Sequence, residues 1–198
     1  MPTELTDAER LRENVLSTHA RLAADPGLGR VRPWVSTRLE QDVRAVARFV
    51  QYDQPYEFRC DESVDRAGLG SAPSPMRYLL SSLAFCMQGW CAKVAALKGA
   101  PLEDLQIDIR TLLDMRGEHF VDDTPSHPEW FVVDIRLSSP AASEVVAEIA
   151  QEAARRCPIS SLLRAAVPIY LLVNHNGHLV LDERPEDLST EHQETLPR

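Results

Sequence analysis

A chain of 198 residues, 44% apolar and 26% charged, has the composition of an ordinary globular protein and the length for one sizeable domain. Its formal charge of −9 repels phosphate backbones, and no basic run with interleaved aromatics interrupts that charge, so nucleic acid is excluded as a partner. The acidic start (Glu4, Asp7, Glu9, Glu13) lacks the basic head and apolar stretch of a signal peptide, and no uninterrupted segment reaches the roughly 18 apolar residues of a membrane span; the expectation is a cytoplasmic protein without membrane contact.

Thr6 and Glu9 have capping-box spacing ahead of Ala8, Leu11, Val15 and Leu22, which predicts an amphipathic helix, packed as an N-terminal extension and ending near Asp25-Pro26-Gly27. From Val35 to Cys60 the stretches VSTRLEQ, DVRAVARFV and PYEFRC alternate in part between polar breaks, which predicts three antiparallel strands. Residues 61–73 are a polar, glycine-bearing loop. Ser74 as cap, Pro75 at the first position and Gly99 at the end then bound a helix of roughly 25 residues, about 37 Å long. Leu79, Leu80, Leu83, Phe85, Met87, Trp90, Val94 and Leu97 cover most of its circumference, so burial on more than one side is expected.

Two strand candidates, 105–116 and 129–138, flank a charged loop at 117–128. Val145, Val146, Ile149 and Ala153 predict a helix over 141–156; Cys157-Pro158 breaks it and opens a shorter helix, Ile159 to Ala166. Residues 169–173 and 179–181 flank Asn176-Gly177, a two-residue hairpin signal. The last 17 residues hold six acids against two arginines and read as a solvated, mobile tail. The division expected is a helical extension at 1–32, a domain at 33–181 and the tail at 182–198. The element order makes an α+β protein rather than a doubly wound one. Gly68 and Gly70 lack the third glycine of a dinucleotide-binding turn, and neither a phosphate loop nor G-x-S-x-G is present.

None of the four cysteines has CxxC or zinc-site spacing, so each is either a core residue or redox chemistry. Cys86 lies near the middle of the long helix, with Ser82 and Trp90 one turn away on its face; alone it reads as a buried hydrophobe. Cys91 is about 140° around and about 7.5 Å along, with α-carbons about 8 to 9 Å apart, beyond the roughly 7 Å reach of a disulfide. A Cys86–Cys91 bridge is excluded; Cys91 reads as core and Cys60 as structural. Cys157 precedes Pro158 at a helix start, where free N–H groups favour a thiolate and Arg155 and Arg156 add positive charge; structural and reactive roles both remain open for it. His175 and His178 read as a surface cross-strand pair rather than a metal pair, and Glu118, His119, Asp122, Asp123 and His127 as a solvated loop. Trp90 and Trp130 read as core aromatics. No metal or cofactor is expected.

An acidic Asp61-Glu62 after a strand, a glycine loop, "APSPMRYLLSSLAFCM" at 72–87, "LLDMRG" at 112–117 and "RRCPISSLL" at 155–163 together resemble the osmotically inducible protein C (OsmC) family, which includes the organic hydroperoxide resistance (Ohr) proteins, over about residues 35–174. The D-M-R-G segment and the plain PSPM turn are closer to the less characterised OsmC-like branch. The resemblance implies antiparallel sheets packed around a long buried central helix, in an intertwined homodimer with its sites at the subunit interface. It also implies that Cys86 and Cys157 face each other, distant as they are in sequence. The activity implied is a thiol peroxidase of oxidative stress defence: Cys86 attacks an organic hydroperoxide and becomes a sulfenic acid, Cys157 condenses with it to a disulfide, and an external dithiol reduces the pair. The family's better characterised members hold the thiolate with an arginine from the N-terminal strands, for which Arg38, Arg44 and Arg48 are the candidates here. They also place a glutamate directly after the proline at the head of the cysteine helix, where this chain has Met76. That departure gives a second expectation, an OsmC-like dimer that binds a hydrophobic or thiol-bearing small molecule without efficient turnover.

Overall fold

The computed structural model describes residues 5–31, 33–166 and 168–186. In chain order the elements are helix α1 (Ala8–Ala24), strands β1 (Ser36–Gln41), β2 (Arg44–Gln51) and β3 (Gln54–Cys60), helix α2 (Pro75–Lys98), strand β4 (Asp104–Leu112), one-turn helix α3 (Met115–Glu118), strand β5 (Trp130–Ser138), helices α4 (Ser143–Arg156) and α5 (Pro158–Ala166), and strands β6 (Ile169–His175) and β7 (His178–Asp182). They form two compact units, one of residues 17–82 and one from residue 83 onward together with the chain's start, the boundary crossing α2.

Helix α1 is capped by Asp7 rather than Thr6: the Asp7 carboxylate accepts the N–H of Arg10 at 3.0 Å. Its stripe of Ala8, Leu11, Val15 and Leu22 is half-buried and none of its residues is fully buried, so the extension is packed less closely than its periodicity suggests.

In the unit of residues 17–82, β1, β2 and β3 form an antiparallel sheet in that order, as the alternation predicts. Val46 is buried, whereas β1 is exposed along its whole length and β3 up to Cys60. Phe49 stacks on Tyr56 at 5.5 Å between ring centroids, and Phe58 lies between Phe49 and Tyr78. The loop that follows is more ordered than its polarity implies, because Asp61 organises it. Its carboxylate is 1% exposed and accepts the N–H groups of Glu62 (2.8 Å), Leu69 (3.2 Å) and Ser71 (2.9 Å) and the Ser71 hydroxyl (2.6 Å). These bonds, led by the Ser71 hydroxyl, hold the Asp61 pKa down to about 2. Gly68 closes the loop: a Cβ there would lie 1.9 Å from the Glu62 carbonyl oxygen.

In the other unit, β4, β5, β6 and β7 form one sheet in chain order. The β4–β5 and β6–β7 pairs are antiparallel, but β5 and β6 run parallel, because α4 and α5 carry the chain back to the end from which β5 began. Phe131, Val133, Ile135 and Leu137 alternate onto one buried face of β5. Helix α4 packs on β6 and β7 and buries Val146, Ile149, Ala150 and Ala153, the 3.6-residue stripe read from the sequence. Strand β4 ends at Leu112, short of the expected 116: Asp114 accepts the N–H of Arg116 at 2.9 Å and caps α3 instead.

Helix α2 buries Leu83, Met87, Cys91 and Val94 along one stripe, and Ala95 and Ala96 outside it. Burial on more than one side is thus met only toward the C-terminal end of α2, since Phe85 is 71% exposed. By length and composition α2 also passes for a membrane-crossing helix, which its interrupted apolar run did not suggest; here its buried stripe is covered by the chain itself.

His175 and His178 do pair across the hairpin, but His175 is buried rather than on the surface. Its Nε2 is 2.7 Å from the Ser139 carbonyl oxygen, which also accepts the Asn176 side-chain amide at 2.8 Å, while Asn176 Oδ1 accepts the Ser139 N–H at 3.0 Å. Of the expected tail, residues 187–198 lie outside the described residues; Asp182 ends β7 and pairs with Arg184 at 2.7 Å.

Candidate active site

Pro158 disfavours helical backbone at the residue before it, so α4 stops at Arg156 and Cys157 is extended (φ −70°, ψ 115°). Cys157 therefore joins two helices. Its N–H completes α4 by donating to the Ala153 carbonyl at 2.9 Å, and its carbonyl begins α5 by accepting from Ser161 at 2.9 Å. With Pro158 at the first position of α5, the next two N–H groups are free of helical partners. Ser160 N–H donates to Cys157 Sγ at 3.3 Å, and the Ile159 N–H favours the Cys86 thiolate.

The two cysteines, 71 residues apart, are close enough for each sulfur to act on the other, with Cys157 fully buried and Cys86 half-buried on α2. Burial pushes the Cys86 thiol up to about 11, and the neighbouring Cys157 sulfur adds to the rise. The Ile159 N–H and the Lys93 ammonium act in the opposite direction. Cys91 is core, as expected, but it also feels Cys157; burial first and that sulfur second push it up to about 12. Three of the four cysteines thus share one neighbourhood, and all four are free thiols. Ser160 is buried beside Cys157, and its hydroxyl has no hydrogen-bond partner among the described residues.

Arg155 and Arg156 do not lend free charge to Cys157, since Glu152 holds both, Arg156 at 2.6 Å. Arg38, Arg44 and Arg48 lie on β1 and β2. Arg44 bonds to Gln41, Arg48 pairs with Glu57 at 2.8 Å, and Arg38 has no ion pair or hydrogen bond among the described residues. Met76 is half-buried in the first turn of α2. Cys60 is half-buried at the end of β3 and lines an apolar cavity of about 430 Å³ with Val46, Phe58, Tyr78 and Leu79. Burial, then Glu62 and Asp61, raise its pKa. No cluster able to hold a metal ion is present among the described residues. The free N–H groups at the start of α5 were read from Cys-Pro; Ser160 and Lys93 were not, although Lys93 was implicit in its seven-residue spacing from Cys86.

The OsmC-like protein family model matches residues 68–171, just over half of the chain, from the glycine of the Asp61 loop through both cysteines into β6. The chain belongs to the OsmC-like family. Among curated proteins none matches it. Solved structures share the fold: an OsmC-like protein from Mycoplasma pneumoniae (16% identity, TM-score 0.60, 73% of this chain and 97% of that one) and an organic hydroperoxide resistance protein OsmC from Legionella pneumophila (15%, 0.53, 73% and 99%). The organic hydroperoxide resistance protein OhrB of Bacillus subtilis is similar to the same extent (16%, 0.51, 71% and 98%). In all three, nearly the whole relative is matched by about three quarters of this chain.

Proposed function

We propose that this OsmC-like protein is a thiol-dependent reductase of organic hydroperoxides, with Cys86 as the attacking and Cys157 as the resolving residue. The observation that carries the reading is the Cys86–Cys157 pair, brought together at the start of α5, where Ser160 N–H donates to Cys157 and the Ile159 N–H favours the Cys86 thiolate. Cys86, as the thiolate, attacks an oxygen of the hydroperoxide; the O–O bond breaks, the alcohol leaves with a proton, and the sulfur becomes a sulfenic acid. Cys157, as the thiolate, then attacks that sulfur, forming the disulfide and expelling the oxygen, which takes a proton and leaves as water. An external dithiol returns both residues to thiols and is itself oxidised to a disulfide. The unpartnered Ser160 hydroxyl is a donor available to the oxygen in transit. Arg38, unpaired on β1, is the candidate among the three arginines for a further cation on the thiolate.

The protein acts as a homodimer in this reading, because Phe85 on α2 and the sheet β1–β3 remain uncovered in one chain. Four free thiols and a dithiol reductant fit the reducing cytoplasm.

Single-turnover oxidation by a bulky alkyl hydroperoxide, followed by mass spectrometry, tests the proposal. Wild type should yield an intrachain Cys86–Cys157 disulfide with Cys60 and Cys91 still reduced. Cys157→Ser should accumulate a sulfenic and then a sulfinic acid on Cys86, and Cys86→Ser should not react. Rates no faster than free cysteine for all three proteins would overturn the reading. They would leave the second one, a dimer that binds a hydrophobic or thiol-bearing molecule, which Met76 and the raised Cys86 pKa favour.

A further inference from the structure

We propose that Lys93, seated on the ring of Trp90, is the positioning residue that supplies positive charge to the Cys86–Cys157 pair. The inference rests on the dithiol reading above and names the group that lets the pair hold negative charge. In a helix turning about 100° per residue, Trp90 and Lys93 stand within about 40° and about 20° of the line through Cys86, one turn and two turns along α2. Helical side chains lean toward the N-terminus, so Lys93 reaches back toward Cys86. Trp90 lies between them, and its ring centroid is 4.9 Å from the Lys93 ammonium. Both residues are half-buried, where a charge is screened less than at the surface.

The other cations on α4, on α5 and on α2 beyond Leu83 are engaged, Arg164 with Glu183 at 3.7 Å among them. Lys98 pairs with Glu148 at 2.5 Å, and Arg155 and Arg156 both pair with Glu152. Lys93 has no carboxylate partner among the described residues. The groups that face Cys86 are Cys157 and the Ile159 N–H from the α4–α5 junction and Lys93 from α2 itself. Of these, Lys93 is the full positive charge.

The test is the rate of Cys86 alkylation by iodoacetamide in the reduced protein, followed by peptide mass spectrometry, from pH 7 to 9, where a lysine carries its charge. Lys93→Met is expected to slow alkylation at pH 8 about threefold. Lys93→Arg should retain the wild-type profile, and Trp90→Leu, which keeps the lysine but releases it, should slow alkylation with Lys93→Met. If Lys93→Met does not fold, Trp90→Leu carries the same comparison. A Lys93→Met or Trp90→Leu profile that coincides with wild type overturns the proposal, and so does an equal slowing in Lys93→Arg. No peroxide enters this measurement, so a wild type inert to hydroperoxide would overturn the proposed function while leaving the Lys93 result to stand or fall separately.

Discussion

Cys86 is held between opposed influences: burial and a second sulfur favour its thiol, an N–H and an ammonium its thiolate. With its pKa raised to about 11, alkylation of Cys86 should rise about tenfold per pH unit through the neutral range. Cys157→Ala removes a neighbour that raises the pKa, so its profile should move to lower pH, measured by the same iodoacetamide kinetics. Both Cys86 and Cys91 bind their protons more tightly folded than unfolded. Stability from this source is intact below the ordinary thiol value near 9 and declines as pH rises toward 11 and 12. Asp61 has the opposite sign: its pKa is lowered to about 2, so its contribution is present above the ordinary value of 3.8 and is lost as pH falls through 2. Amide exchange of Leu69 and Ser71 should accelerate across that acid range in wild type, whereas Asp61→Asn should exchange fast at every pH. The cysteines and the Cys-Pro break were legible as residues. That both sulfurs would meet at one helix start was not, because the meeting depends on where α2 and α5 pack, which no local spacing encodes.

At the scale of elements, strands and helices were legible where period and punctuation agreed. The three strands of β1–β3, both ends of α2 and the Asn176 turn follow from alternation, Pro75, Gly99 and Asn-Gly respectively. The misplacements arose where a side chain competed with period. Asp114 ends β4 by capping α3, and Asp7 rather than Thr6 starts α1. The parallel β5–β6 pair depends on the path of the crossover rather than on the strands' own composition. The Asp61 loop is the most constrained connection, so Gly68→Ala, whose Cβ meets the Glu62 carbonyl, should cost about 3 kcal/mol or more in denaturant unfolding. In the α2 stripe, Leu83→Ala should cost about 3 kcal/mol in the same measurement, as a fully buried leucine truncated to a cavity.

At the scale of the whole molecule, the uncovered Phe85 predicts how the chain assembles. Light scattering should report twice the chain mass at micromolar concentration, and Phe85→Glu should shift it toward the monomer while leaving the far-ultraviolet circular dichroism intact. A stable wild-type monomer would remove the homodimer from the proposed function. The parallel crossover has a further consequence in time. Because α4 and α5 lead from β5 to β6, Cys157 reaches Cys86 only after the chain between them, 71 positions long, has closed on itself. The entropy of closing so long a segment precedes any reward from the contact, which places the meeting of the two sulfurs late in folding. In a refolding experiment quenched at intervals with an alkylating reagent and a disulfide-forming oxidant, the Cys86–Cys157 crosslink should therefore appear after the β1–β3 hairpins are protected from exchange. The thiol pair would then serve as a clock for the closure of the fold.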